Sequence, residues 1–310
     1  MKRILVSGLN PAWQKTLTFQ RLVPDEVNRA ETLHSIASGK GINFSRAVTL
    51  WGKCAVSVLH PLGGVTGKQI MESMGEEGLN SVSVTTGAAT RTCCTLMSKA
   101  DGTATEIIEP SGTITAEEYE KIMMTARLEI SSADALAICG TYPPGIPEHC
   151  YADLIKMAAE QQKPVLLDAY KGIGNALFSG VTILKINRSE LLAMTGENTV
   201  EEGIRACLKT YPVKVIAITS GKDQAMIGTR EKVTGIKIPQ ITNAINPIGA
   251  GDTCAGIFLS EYLCGAAPEE AFASGLCAAT ASCMTDTPAK YDKTTALQLK
   301  QQIEFFNMKG

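Results

Sequence analysis

A chain of 310 residues is long enough for one large domain with a substantial buried core, and 45% hydrophobic, 19% charged residues is ordinary globular composition. Its formal net charge of −2 gives no electrostatic footprint for nucleic acid or an anionic membrane surface. Apolar runs fall short of a membrane span, MKRILVSG is too brief for a secretory signal, and ten scattered cysteines without a CxxC pair read as reduced thiols rather than disulfides or a zinc site. These features predict a cytoplasmic protein.

In chain order, Ile4–Ser7 reads as a strand, and Thr16–Leu33 follows with polar alternation and no helical spacing. The run from Ser38 to Asn43, SGKGIN, then leads into a helical pattern. Ala55–Leu59 predicts a strand and Lys68–Glu77 a helix. Arg91–Glu109 reads as two strands, TCCTLMS and TATEII, joined by the turn Ala100-Asp101-Gly102. Helices over Ala116–Ile130, Glu148–Gln161 and Val200–Thr210 alternate with strands at Ala135–Cys139, Val165–Asp168, Thr182–Ile186 and Val213–Thr219. Beyond residue 249 the pattern is mainly helical. Several strands are apolar throughout, as expected when helices cover both faces of a parallel sheet. The rhythm predicts one α/β domain over 1–310, a doubly wound, mainly parallel sheet. The two exceptional segments, at about 12–34 and 90–110, predict a small β-sheet lid.

Two glycine turns carry the chemistry. In NPIGAGDTCAGIFLSEYL a helix should begin near Asp252, after Gly249, Ala250 and Gly251. Glycines permit close backbone approach there, and the unpaired N–H groups of a helix start attract anions. Asp252 is then either a helix cap or, beside a bound polyphosphate, a base for an attacking hydroxyl. The run is not a dinucleotide fingerprint, because Cys254 holds the position of the last glycine. Gly67-Lys68 is followed by Gln69, so it is not a P-loop either. In the earlier turn, Gly39, Lys40 and Gly41 either expose backbone and ammonium to a phosphate or polyol or simply start a helix with a solvated lysine.

Taken together, SGKGIN and NPIGAGDTCAG resemble the ribokinase/PfkB carbohydrate kinase family. NPAW near the start, Asp25–Arg29, Thr90–Cys93, Gly140–Gly145 and Lys185–Glu190 resemble its 1-phosphofructokinase and tagatose-6-phosphate kinase branch. The resemblance implies a ribokinase-like fold with a β-strand lid, ATP and Mg²⁺, and a sugar or sugar-phosphate substrate. It implies Asp252 as base, with Gly249, Ala250 and Gly251 as anion hole. Gly39, Lys40 and Asn43 match the sugar loop. Arg29, Arg91 and Thr141 match groups near the phosphate already on the substrate. Lys185, Asn187, Thr219, Ser220 and Gly221 match the nucleotide side, with adenine toward Ala278–Cys283. Asn187 and Glu190 match the element that organises magnesium through water. Lid pairing would make a homodimer.

One position departs from that branch. Asn10-Pro11-Ala12-Trp13 is followed by Gln14 where an aspartate usually grips the sugar, so an acceptor-only carboxylate becomes an amide that also donates. Phosphoryl transfer to a ketohexose monophosphate is the first expectation, with fructose 1-phosphate ahead of tagatose 6-phosphate. A kinase for an unphosphorylated sugar or nucleoside is the second, and a non-catalytic sensor of sugar and ATP the third.

Overall fold

The computed structural model describes residues 1–222 and 224–307. The chain runs through β1 (Lys2–Ser7), β2 (Ala12–Phe19), β3 (Thr32–Ser38), α1 (Lys40–Trp51), β4 (Cys54–Gly63) and α2 (Gly64–Glu76). Next come β5 (Asn80–Thr86), β6 (Thr92–Ser98), β7 (Thr103–Ile108), α3 (Ala116–Ser132), β8 (Ala135–Cys139) and α4 (Cys150–Ala159). β9 (Val165–Asp168), α5 (Gly174–Leu177), β10 (Ile183–Asn187), α6 (Arg188–Thr195), α7 (Val200–Thr210) and β11 (Val215–Ser220) follow. The remainder is β12 (Gln224–Gly228), β13 (Val233–Lys237), α8 (Ala250–Leu263), α9 (Pro268–Ser282), α10 (Lys293–Lys300) and β14 (Glu304–Asn307).

Ten strands form the main sheet in the order β14-β13-β12-β11-β10-β9-β8-β1-β4-β5. The seven from β11 to β5 are parallel, and β12, β13 and β14 extend one edge in antiparallel fashion. Side chains of successive strand residues serve opposite faces, which accounts for the unbroken apolar runs. Leu5, Leu136, Leu167 and Ile216 pack with Ile122, Leu154 and Ile204 from α3, α4 and α7. Ile4, Val6, Ala137 and Leu166 pack on the other face with Phe44, Phe258 and Phe272 from α1, α8 and α9.

Strand order reverses at β1, which lies between β4 and β8. The chain builds outward from β1 through β4 and β5, then returns to β8 on the other side. Such a switch point opens a crevice at the carboxyl ends of the strands, where α/β sheets bind ligands. The start of α1 closes tightly against the end of β1. A Cβ added to Gly8 would lie 2.8 Å from the Cα of Gly41, so both positions require glycine.

The segments that broke the helical rhythm pair into a separate four-stranded sheet, β3-β2-β6-β7. β6 and β7 coincide with the two predicted strands and their turn. β3 runs on to Ser38, four residues beyond the expected end of the first segment, and so delivers the chain directly into the glycine loop. Trp13 and Ala37, opposite one another on β2 and β3, pack against the core beneath, anchoring the small sheet at its base.

Candidate active site

Helix α8 starts earlier than its apolar pattern suggested. Gly249 is its N-cap, at φ 78°, and the helix begins at Ala250. Asp252 therefore stands inside the first turn and is not the cap. Its Oδ2 accepts a 2.9 Å hydrogen bond from Asn43 Nδ2, on the first turn of α1. The Gly249 turn and the SGKGIN loop, some two hundred residues apart, thus meet at one point. Burial pushes the Asp252 pKa up and Asp168 adds to this, while Lys40, the Asn43 bond and Lys185 oppose it; the net shift is upward. A carboxylate with raised proton affinity suits proton abstraction.

Beside it lies a buried ion cluster. Lys40 Nζ is 2.6 Å from Asp168 Oδ1, and Lys185 Nζ is 3.1 Å from Asp168 Oδ2. Lys185 also donates to the Gly251 carbonyl at 3.0 Å, tying β10 to the glycine turn. Burial alone would raise the Asp168 pKa, yet Lys185 and Lys40 outweigh it and hold the carboxyl below its ordinary range. Burial likewise disfavours both ammonium groups, but the acidic groups around them, Asp168 first and Asp252 with it, together outweigh it, so both lysine pKa values are raised. Two cations and two carboxylates balance in the cluster, and an arriving phosphate can compete with Asp168 for the lysines.

A polar recess occupies the switch point itself. Asn10, following β1, donates to Thr141 Oγ1 at 3.0 Å and accepts from Ser111 Oγ at 2.7 Å. Arg91, just before β6, reaches the Asn10 carbonyl at 3.3 Å, while its Nε is buried without a partner. A buried guanidinium N–H lacking an acceptor is uncommon, and an anion would satisfy it. Arg29 is exposed on the connection between β2 and β3.

Gln14 is buried on β2. Its Nε2 donates to Thr95 Oγ1 at 2.9 Å and to the Lys15 carbonyl at 3.2 Å. A carbonyl can only accept, so this contact fixes which end of the amide is nitrogen and leaves Oε1 as the acceptor. Gln14 shares its sheet face with Ala12, which lies opposite Ser38, and the Ser38 hydroxyl donates to Asn43 at 3.3 Å. That face thus carries both Gln14 and the Ser38 hydroxyl that bonds to Asn43.

The other half of the cleft is lined by Asn187, Arg188, Thr219, Ser220 and Gly221. Asn187 and Glu190 form a reciprocal capping box for α6, Oδ1 accepting the Glu190 N–H at 2.9 Å and Oε2 accepting the Asn187 N–H at 2.9 Å. Near the expected adenine region, the N–H groups of Ile245 and Asn246 both donate to the Cys283 carbonyl at the end of α9.

This arrangement has counterparts. The model of the pfkB family of carbohydrate kinases matches residues 6–291. The chain belongs to that family. The kinase is 28% identical over 264 residues to the tagatose-6-phosphate kinase of Staphylococcus epidermidis, covering 82% of this chain and 84% of that one. It is 26% identical over 255 residues to ATP-dependent 6-phosphofructokinase isozyme 2 of Mycobacterium tuberculosis, covering 81% and 75%. Its fold superimposes on phosphofructokinase-2 of Escherichia coli in complex with substrates and products, with a TM-score of 0.88 at 20% identity over 97% of this chain and 99% of that one. A possible 1-phosphofructokinase of Thermotoga maritima gives 0.86 at 18% identity, over 99% and 100%.

Asp168 is the principal residue that the sequence motifs left out. A carboxylate ending the apolar strand VLLD, at the carboxyl edge of a parallel sheet, was the available signal. Asn10, which donates to Thr141, and Ser111, which holds Asn10, were also missed, as was Arg188, a cation beside the nucleotide-side cleft.

Proposed function

We propose that this kinase transfers the γ-phosphoryl group of ATP to a hydroxyl of a ketohexose monophosphate, fructose 1-phosphate first and tagatose 6-phosphate second. The observation that carries this reading is the convergence of Asp252, Asn43, Lys40 and the Gly249 turn at one end of the parallel sheet. Asp252 Oδ2 is held by Asn43, and Oδ1 takes the proton of the attacking hydroxyl. The hydroxyl oxygen bonds to the γ-phosphorus as the bond to the ADP oxygen breaks. The N–H groups at Gly249, Ala250 and Gly251 stabilise charge on the transferred group, and Lys40 and Lys185 flank it. Gly39 and Asn43 orient the sugar, Arg91 and Thr141 receive the phosphate it already carries, and Arg29 adds charge nearby. Thr219, Ser220, Gly221 and Asn187 line the nucleotide side.

Magnesium fits the residues at the start of α6 as an ion held mainly by phosphates and water. Asn187 and Glu190 offer oxygen donors but are each half engaged in the capping box, which suits indirect contact better than a protein cage. Bound there, the ion would neutralise charge on the β- and γ-phosphates.

Gln14 favours a second reading, a kinase for an unphosphorylated sugar or nucleoside, because a neutral amide replaces the usual sugar-gripping carboxylate. The small sheet leaves Leu33 and Ile107 exposed on one face, and a second copy covering that face would make a homodimer. ADP release across a panel of sugars, sugar phosphates and nucleosides tests the reading. Turnover with ketohexose monophosphates is expected. Turnover confined to free sugars or nucleosides would establish the second reading, and binding without ADP release would point to a sensor.

A further inference from the structure

Arg46 lies one turn after Asn43 on α1 and is 2% exposed, yet the reaction above makes no use of it. All five of its N–H groups are matched. Nε and Nη2 grip the Glu77 carboxylate at 2.6 and 2.8 Å. Nη2 also donates to the Ala37 carbonyl at 2.7 Å, and Nη1 donates to Asn43 Oδ1 at 3.0 Å and the Pro288 carbonyl at 3.1 Å. A guanidinium is donor-only, so the oxygen end of the Asn43 amide must face it. The nitrogen end is thereby turned to Asp252.

We propose that Arg46 is a positioning residue that locks the Asn43 amide, so that Asp252 meets the substrate hydroxyl with Oδ1 and with no other oxygen. This rests on the reading of Asp252 as the base. The same guanidinium braces the glycine turn from behind. Pro288 precedes Ala289, whose N would lie 3.0 Å from a Cβ placed on Gly249. It also reaches the last residues of β3 through Ala37, so one side chain ties the small sheet, the base and the anion turn together. Without the lock, Asn43 can turn its oxygen toward Asp252, an arrangement that favours the protonated carboxyl. The other groups facing Asp252 are Lys40, Asp168, Lys185 and the Cys139 thiol. None of them touches Arg46, so its removal leaves their fields in place.

The test is the pH profile of kcat at saturating substrates in Arg46→Lys, with Glu77→Gln as control. Glu77→Gln loses the ion pair but keeps the bond from Nη1 to Asn43. A double variant, Arg46→Met with Glu77→Met, replaces the pair by apolar side chains, a change that folded proteins commonly tolerate. In Arg46→Lys and the double variant, kcat should fall by about 10- to 100-fold with KM for ATP nearly unchanged, and the acidic limb should move to higher pH. Glu77→Gln should keep the wild-type limb whatever its melting temperature. An unmoved limb in both Arg46 variants, or an equal shift in Glu77→Gln, would overturn the proposal. Asp252→Asn measured alongside separates the premises. If it is active the base assignment falls, whereas inactive Asp252→Asn with unmoved Arg46 limbs sinks only the role of Arg46.

Discussion

Replacing Asp168 by Asn keeps side-chain volume and removes the one charge shared by two lysines. Its carboxylate side chain is 2% exposed and that of Lys185 5%, so the loss leaves a buried ammonium without its counter-ion. Lys40 is 39% exposed and can turn toward solvent, so its share is discounted. Removing one partner of a buried pair costs roughly 3–5 kcal/mol, and the partial escape of Lys40 places this site near about 3. At about 2 °C per kcal/mol for a chain of this size, the melting temperature should drop by about 6 °C at pH 7. The sign of the pH dependence follows from the depressed pKa of Asp168 in the folded state. Its stabilisation is complete above the unfolded value, about 3.9, and is lost as pH falls through the lower folded value. Melting of wild type and variant from pH 7 downward should therefore show a constant gap that closes only below about pH 4. Equal melting temperatures at pH 7 would refute the energetic reading of the cluster.

Asp252→Asn should lower kcat by about 10²- to 10⁴-fold while leaving the protein as stable or more so. The folded carboxyl has a raised pKa, so wild type gives up stability at neutral pH by keeping it ionised. A variant that retains full kcat would contradict the base assignment. For the same reason the acidic limb of wild-type kcat/KM should lie above the ordinary aspartate range, and a limb below it would count against Asp252. Arg91→Ala should raise KM for the sugar phosphate by roughly 10- to 100-fold with little change in KM for ATP, since a charge-assisted bond contributes about 1.5–3 kcal/mol. An unchanged KM would favour an unphosphorylated substrate. Chelation of divalent ions should abolish ADP release and added Mg²⁺ should restore it; turnover that survives chelation would argue against the proposed ion.

Much of the fold was legible because its signals are local. Ala135–Cys139, Val165–Asp168 and Val200–Thr210 have the predicted bounds, and their apolar periodicity is set within a few residues. β14 lacked such a signal. All four of its residues are exposed, and it exists by pairing with β13 rather than by burial. α6 has a weak apolar signal for a related reason. It has eight residues, one of them buried, and owes its start to the Asn187–Glu190 capping box. The same two residues match the family's magnesium element, and Asn187 its nucleotide side, so their capping role is masked in the sequence.

At the site, the limit was partner distance. Locally, Asp252 after a glycine turn could equally be a cap or a base, because either role needs only a helix start. The structure separates them through Gly249, which caps the helix, and through Asn43, which lies 209 residues away in sequence and meets the carboxylate. Asp168 is hidden in the same way, with Lys40 128 residues before it and Lys185 17 after it. Each lysine alone reads as a phosphate ligand. Their shared carboxylate shows that both are paired before any ligand arrives, so on the proposed reading a phosphate competes with Asp168 rather than meeting two free charges. That competition weakens ground-state phosphate binding. On that reading Asp168, absent from both glycine motifs, links Lys40 on the sugar side to Lys185 on the nucleotide side.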